Sequence, residues 1–508
     1  MLEDGWKIFK SGSDIRGYGI ACGSEPLYLS EYIVAQITYG FACWLSEKLT
    51  TDLDRLVVSV GHDSRISAPH LKKWVIETLT GAGVHVIDCG LSSTPAMFMT
   101  TVDLKCGGAV QITASHHPYD RNGFKYFTPS GGLEGENIEE ILEIAQHNQP
   151  AASTSTGVVE TVDYMDMYAA KLRAMICREV DDDTDYGKPL RGYKIVVDAG
   201  NGVGGFYASK VLAPLGADVG GSQFLDPDGT FPNHRPNPEN KEAMDSVSAA
   251  VRNTDADLGV IFDTDVDRAG CVGKGGLEIN RNRLVALAAA ITLENNAGAT
   301  IVTDSITSDG LTAFIEAQGG KHLRYMRGYK NVINKQIELN GNGVNCPLAI
   351  ETSGHAAFKD NYYLDDGAYL VTKLIIKMAV LGRQNKRLNH LIDRLEEPLE
   401  DIEVRFQIKG NDFKHYGEQV IDAIKHAAES RNGWQPAEKN YEGIRVSTAH
   451  GEGDGWFLLR LSVHDPVMVL NAESNSAGGV KKMLAGLSGV FGQFELLDTA
   501  GLENAMNG

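Results

Sequence analysis

The run Ile112-Thr113-Ala114-Ser115-His116-His117-Pro118-Tyr119-Asp120-Arg121-Asn122-Gly123-Phe124-Lys125 ends an apolar strand in a tight polar turn that carries a serine, with a lysine ten residues on. A second stretch, Asp263-Thr264-Asp265-Val266-Asp267-Arg268, sets three carboxylates at alternating positions, again after an apolar strand. In an extended segment the side chains at i, i+2 and i+4 point to one side, so these three can converge on one hard cation. A hydroxyl able to carry a phosphoryl group, facing a divalent-cation site, is what phosphoryl transfer needs. The two stretches together predict a phosphotransfer enzyme that works through a phosphoserine.

Working outward, the same unit recurs. Leu56–Val60 reads as a β-branched strand ending in the turn Gly61-His62-Asp63-Ser64-Arg65, followed by a helix from Pro69 to Leu79 and a strand at Val84–Ile87. Ile195–Asp198 leads through Gly200-Asn201-Gly202 to a helix over Gly205–Leu215 and a strand near Asp218; Thr300–Asp304 leads to a helix at Leu311–Ala317 and then Gly319-Gly320. Each is a βαβ signature. Each is followed by another apolar strand that stops at a chemically loaded turn: Val110-Gln111-Ile112 before Ser115, Val260-Ile261-Phe262 before Asp263, and Leu348-Ala349-Ile350 before Glu351-Thr352-Ser353-Gly354-His355. Ligands of open parallel sheets sit outside the carboxyl ends of strands. Three related α/β domains therefore aim one loop each at a shared cleft. The last stretch differs, with alternation at Ile402–Phe406, a helix near Tyr416–Ala428 and a strand over Trp456–Ser462, which predicts a smaller α+β domain. The expected boundaries are 1–157, 158–297, 298–399 and 400–508.

Composition removes several classes. A formal net charge of -20 argues against non-specific nucleic-acid binding. No apolar run reaches the ~20 residues of a membrane span, and the N-terminus, with Asp4, is not a secretory signal. Seven cysteines stand as singles, which reads as reduced thiols in a cytosol-like compartment. The expected location is the cytoplasm, or a plastid stroma if a transit peptide has been removed.

Each constellation has a plainer reading. Ser115 at a strand-to-helix turn would ordinarily be an N-cap, but His116-His117-Pro118 and Asn122-Gly123-Phe124-Lys125 build a rigid turn with a cation nearby. Adjacent His116 and His117 rarely converge on a metal. An EF-hand is excluded, because the sixth position of the acidic run is Arg268 and the twelfth Lys274. An apolar strand followed by Asp-x-Asp also resembles the nucleophile loop of haloacid-dehalogenase-type phosphatases, with Asp263 as nucleophile and Asp265 as acid/base, although Asp267 departs from that pattern. Glu351-Thr352-Ser353-Gly354-His355 suits sugar hydroxyls and proton transfer, or is a capped turn. Arg460, Ser462 and His464 alternate onto one strand face and read as a phosphate grip, or as an edge strand ending at Pro466. Gly200-Asn201-Gly202-Val203-Gly204-Gly205 matches G-x-G-x-x-G, but the proline-rich Asp226–Pro238 stretch after it favours a plain tight turn.

These motifs, in this order, resemble the α-D-phosphohexomutase superfamily over nearly the whole chain, from Ser13-Asp14-Ile15-Arg16-Gly17 through Pro227-Asp228-Gly229-Thr230-Phe231-Pro232 to the Arg460-x-Ser462 strand. The wording from Ser115 to Gly123 is similar to a divergent plant and algal branch. The resemblance implies four domains around a central cleft, three related mixed-sheet domains and a smaller C-terminal one. It matches Ser115 to a phosphoserine and Ser115, Asp263, Asp265 and Asp267 to the ligands of one Mg²⁺. It matches Arg16, Lys125, Arg268 and His355 to the cations and proton-transfer groups of catalysis. Glu351 and Ser353 match the sugar-binding loop, Gly328-Tyr329-Lys330 the specificity loop, and Arg460, Ser462 and His464 the distal phosphate site. Val463, His464 and Asp465 depart from the family's usual phosphate loop.

The implied activity is interconversion of hexose 1-phosphate and hexose 6-phosphate through a hexose 1,6-bisphosphate, which also serves as activator. The implied partners are hexose phosphates, with no nucleic acid or membrane, for a monomer or homodimer. The altered Arg460–Pro466 loop keeps a bisphosphate synthase open, and a silent sugar-phosphate-binding regulator is the reading from another class.

Overall fold

The computed structural model describes residues 2–20, 28–151, 153, 156–410, 412–462 and 465–507. Among the described residues the strands form four sheets, three mixed and one antiparallel.

The first sheet is built on β1 (Asp14–Tyr18), β2 (Val57–His62), β3 (His85–Leu91), β4 (Gly108–Ile112) and β5 (Arg121–Thr128), in the order β1–β5–β4–β2–β3. β2 runs parallel to both β3 and β4, whereas β5 runs antiparallel to β4 and β1. Helices α1 (Ala68–Gly81) and α2 (Thr94–Asp103) make the crossovers. The second sheet repeats the core of this arrangement with β6 (Ile195–Asp198), β7 (Leu258–Phe262) and β8 (Ala269–Gly273), parallel then antiparallel. The third does so with β9 (Thr300–Thr303), β10 (Lys321–Arg324), β11 (Leu348–Ile350) and β12 (Ala356–Phe358), in the order β10–β9–β11–β12. β4, β7 and β11 are buried along their whole length, which is why they read as near-continuous apolar runs rather than alternating ones; the one polar side chain, Gln111, donates to Ser92 O at 2.7 Å.

Two expectations need correction. The Ser115 turn does not lead into a helix; it joins β4 to antiparallel β5, and the Asp263 and Glu351 loops likewise join β7 to β8 and β11 to β12. An N-cap role for Ser115 is thereby excluded. The three loaded turns are hairpin ends of one repeated topology, and this puts them at equivalent places. The strand near Asp218 is reduced to single bridges, Lys194 to Asp218 and Asp198 to Gln223. The cause is local: the Asp218 carboxylate accepts from Gly220 N at 2.8 Å and Gly221 takes φ +96°, so the chain turns away after one paired residue. The helix before it is π-helical over Tyr207–Leu212 and 3₁₀ over Ala213–Leu215.

The fourth sheet is antiparallel, with β13 (Glu400–Gln407), β14 (Trp434–Pro436), β15 (Ile444–Thr448), β16 (Gly455–Leu461) and β17 (Val467–Ser474) ordered β13–β17–β16–β15–β14. It docks on the third unit through Arg445, whose guanidinium donates to Ser305 O at 3.0 Å and pairs with Asp309 at 2.9 Å. No helix among the described residues is long and apolar enough to cross a membrane.

The Gly200–Gly205 segment has a packing role. Gly200 and Asn201 both take positive φ, and a side chain on Gly202 would meet Thr264 O at 2.6 Å, so this turn lies directly against the acidic loop. Gly202→Ala is therefore expected to lower stability by about 1–3 kcal/mol, as overpacking against fixed backbone does, and to weaken cation binding. Urea denaturation and a Mn²⁺ titration of the variant check both.

Candidate active site

The three hairpin ends meet. Ser115 takes φ +50°, and its Oγ donates to Asp263 Oδ2 at 3.2 Å, from the first unit to the second. Thr94 begins α2, and its N–H donates to Asp265 O at 2.9 Å while its hydroxyl donates to Asp265 Oδ2 at 2.5 Å. Arg268 and His355 form a backbone bridge between the second and third units. Gly354 permits that approach, since a side chain there would lie 2.3 Å from Ala269 O. Gly367 does the same behind the acidic loop, 2.7 Å from Arg268 O. Val266 sits in this loop at φ +67°, a costly conformation for a β-branched residue that the surrounding contacts hold in place.

Asp263, Asp265 and Asp267 are fully buried, with ligand oxygens within 4.8 Å of one another. Burial first, then the Asp267 and Asp265 charges, push Asp263 well above the ordinary aspartate range. Burial opposes the charge of Asp267 too, but the Lys125 and Arg268 charges and the Lys125 hydrogen bond outweigh it and hold this carboxyl low. Lys125 bonds Asp267 and lies 3.6 Å from Asp265; these carboxylates overcome its own burial and raise it above the ordinary lysine range. Asp265 Oδ1 and Asp267 Oδ1 have no hydrogen-bond partner. Hard oxygen donors, crowded, buried and in part unpartnered, fit a divalent cation such as Mg²⁺.

Around the triad the hydrogen bonds fix two histidine tautomers, because arginine only donates. Arg268 Nη2 lies 2.9 Å from His116 Nδ1, and Arg268 Nε lies 3.1 Å from His355 Nε2, so both ring nitrogens accept. His355 Nδ1 then carries the proton, 2.9 Å from Ser353 Oγ and 3.4 Å from Glu351 Oε2. The Arg268 charge, then burial, push His116 far below the ordinary histidine range, and burial with Arg16, Arg65 and Arg121 takes His117 down to about 3. Neither joins the acidic cluster.

The remaining expected residues divide into two groups. Arg16 is buried, bonds Asp14 at 2.6 Å and donates to Thr113 O beneath the serine loop. Glu351 accepts from Gly328 N at 2.6 Å, and the Tyr329 ring stacks on His355 with centroids 5.2 Å apart. Lys330 Nζ, by contrast, is engaged by Gly132 O at 2.8 Å and Glu134 at 2.7 Å in the first unit. Arg460 and Ser462 lie at the end of β16; Ser462 Oγ accepts from Asp465 N at 3.3 Å. His464 lies outside the described residues, as does Val463.

Several groups emerge only in three dimensions. Arg327 pairs with Glu239 at 3.1 Å, and Glu239 also faces Arg268 at 3.5 Å. Arg460 Nε is buried without a hydrogen-bond partner, and burial with the Arg327 charge lowers the Arg460 guanidinium from its ordinary range. Asp365, raised to about 6 by burial and by Asp267, joins Asp267 and His355 in a second close group. The Asp365-Asp366-Gly367 wording was a signal available in the sequence, since paired carboxylates before a glycine rarely sit in a core without a function there.

The chain matches the models for phosphoglucomutase/phosphomannomutase alpha/beta/alpha domain I over residues 10–152, domain II over 166–276 and domain III over 280–398. It is 33% identical over 428 residues to a phosphomannomutase/phosphoglucomutase of Pseudomonas putida, covering 84% of this chain and 85% of that protein. It is 32% identical over 479 residues to a phosphoglucomutase of Neisseria meningitidis, covering 94% and 95%. Among solved structures, a phosphoglucomutase/phosphomannomutase family protein of Burkholderia thailandensis matches with a TM-score of 0.77 at 29% identity, covering 97% of this chain and 98% of that one.

Asp304 supplies a pH test. Burial and the neighbouring Glu351 raise its carboxyl from 3.8 to about 7. Between those values the folded chain keeps a proton that the unfolded chain releases, so stability falls as pH rises across the window and levels off above it. Asp304→Asn should make that decline shallower in urea denaturations between about pH 4 and 8; an unchanged slope contradicts the assignment.

Proposed function

The chain belongs to the phosphoglucomutase/phosphomannomutase family and is a hexose phosphate mutase, and from that premise we propose that phosphorylated Ser115 gives its phosphoryl group to a hexose monophosphate and recovers one from the resulting hexose 1,6-bisphosphate. The observation that carries this reading is the Ser115 hydroxyl standing 3.2 Å from the first carboxylate of a buried acidic triad. On this reading each of the four units, 1–157, 158–297, 298–399 and 400–508, supplies one loop to the cleft. A Mg²⁺ held by Asp263, Asp265 and Asp267 beside Ser115 would neutralise charge that develops on the phosphoryl oxygens.

The chain's own groups do the rest. In the forward step the bond between phosphorus and Ser115 Oγ breaks as a bond to a sugar hydroxyl forms, and that hydroxyl's proton passes to a general base. His355 suits this role: Ser353 and Glu351 orient its Nδ1–H, so Nε2 is the basic nitrogen, and the sugar hydroxyl would replace Arg268 Nε as the donor to it. Lys125, Arg268 and Arg16 supply fixed positive charge around the reacting phosphate. Glu351 and Ser353 retain acceptor capacity for sugar hydroxyls. Gly328 and Tyr329 border them, with Lys330 holding that loop against the first unit. Arg460, with Ser462, His464 and the adjacent Arg327, would hold the distal phosphate; the unpartnered Arg460 Nε beside a second guanidinium supports this. The bisphosphate then turns over and returns its other phosphoryl group to Ser115, with hexose 1,6-bisphosphate as the priming activator. The same proposal places the enzyme where hexose phosphates are metabolised, the cytosol or a plastid stroma, as a monomer or homodimer.

Incubation with Mg²⁺, a trace of glucose 1,6-bisphosphate and glucose 1-phosphate tests the route, reading glucose 6-phosphate formation and the intact mass of wild type and Ser115→Ala. The expected result is turnover and a phosphate-sized mass increment, both lost in Ser115→Ala. Retained activity in that variant would transfer the nucleophile to Asp263.

A further inference from the structure

Arg65, in the turn after β2, is 1% exposed and uses its whole guanidinium. Nε pairs with Asp63 at 3.1 Å. Nη2 donates to Ser115 O at 2.5 Å and His117 O at 2.8 Å, and Nη1 to Pro118 O at 2.5 Å and Arg121 O at 3.0 Å. Four carbonyls of one loop thus converge on one side chain. Asp63 completes the clamp, because its Oδ2 accepts from Thr113 Oγ1 at 2.7 Å, and Thr113 Oγ1 accepts from Ser115 N at 2.8 Å. Both backbone groups of Ser115 are held by this one ion pair, at a residue whose φ is +50°.

The second unit presses on the clamp. A side chain on Gly229 would lie 2.4 Å from both Ser64 O and Ile66 N, so the Pro227–Pro232 turn packs on the backbone that carries Arg65. In the same turn Phe231 takes φ +50° and places its ring 5.3 Å from the guanidinium carbon. The Arg65 face is therefore built by the unit that also carries the acidic triad.

We propose that Arg65 is the positioning residue for the phosphoryl-carrying serine, and that the Gly229–Phe231 turn locks it so that Ser115 keeps its register to Asp263 only while the first two units are docked. This rests on the Ser115 reading above. A residue that fixes the loop's four carbonyls governs where Oγ stands, and misplacement of a reacting atom costs rate far more than it costs ground-state binding. Lysine cannot replace the arginine here: an ammonium offers three donors from one point, whereas the planar fork spans carbonyls on two sides.

The test uses the full chain with Mg²⁺, glucose 1,6-bisphosphate and glucose 1-phosphate. Arg65→Lys should lower kcat, and the rate at which Ser115 gains phosphate by intact mass, by about 100-fold, with KM moved less than about threefold. Hydrogen exchange should speed up at the amides of residues 115–117 and 119–121 and stay unchanged in β6 and β7. Phe231→Leu leaves the guanidinium in place but removes the ring under it, and should lower kcat about 3- to 10-fold at unchanged KM; this variant carries the test if Arg65→Lys does not fold. Wild-type kcat in either folded variant, or a fall in kcat matched by an equal loss of folded protein, overturns the proposal. A wild type that gains no phosphate from the bisphosphate would instead overturn the Ser115 reading on which it stands.

Discussion

Three fully buried carboxylates held within 4.8 Å of one another are the constraint on which this molecule is arranged. Carboxylates so placed repel strongly and are poorly solvated, so they persist only where positive charge and hydrogen-bond donors are delivered to them. No single unit of the chain delivers enough. Lys125 and Ser115 come from the first unit and Arg268 from the second, with its Nε held by His355 of the third, while Thr94 places the start of a helix against Asp265. The charge problem of one loop is thus solved by its neighbours, and docking of the units and assembly of the site are one event.

The repeat explains why that solution is available. Each of the first three units ends its buried central strand in a hairpin, with a parallel neighbour on one side and an antiparallel partner on the other. Equivalent hairpin ends can face one cleft, and small differences between the loops leave Ser115 on one, three carboxylates on another and the Glu351–His355 pair on the third. The fourth sheet presents Arg460 where the Arg327 charge acts on it, with one buried N–H unpartnered, which is the arrangement an anionic group would complete.

How much of this was legible in the sequence follows from what is local. The strands before Ser115, Asp263 and Glu351 were legible because full burial leaves largely apolar runs, and the alternate aspartates because extended backbone has a period of two. The antiparallel return after each loop was not, because Arg121–Thr128 and Ala269–Gly273 carry no pattern that names their partner strand. The strand expected near Asp218 failed because an aspartate–glycine turn overrode its pairing. Arg65, Thr94, Arg327 and Asp365 were missed as site residues since each acts on a loop far away in the chain. Lys330, in the expected motif, also ties the third unit to Gly132 and Glu134 of the first, a contact that sequence spacing does not reveal.

The central claim is that Ser115 and the acidic triad, from different units, are one site. Phosphorus NMR of the protein phosphorylated by glucose 1,6-bisphosphate, with Mn²⁺ replacing Mg²⁺, tests it most directly. The account predicts that the phosphoserine resonance is broadened beyond detection by bound Mn²⁺ and sharpens again in Asp265→Asn. A sharp phosphoserine resonance in the wild type with Mn²⁺ bound would contradict it.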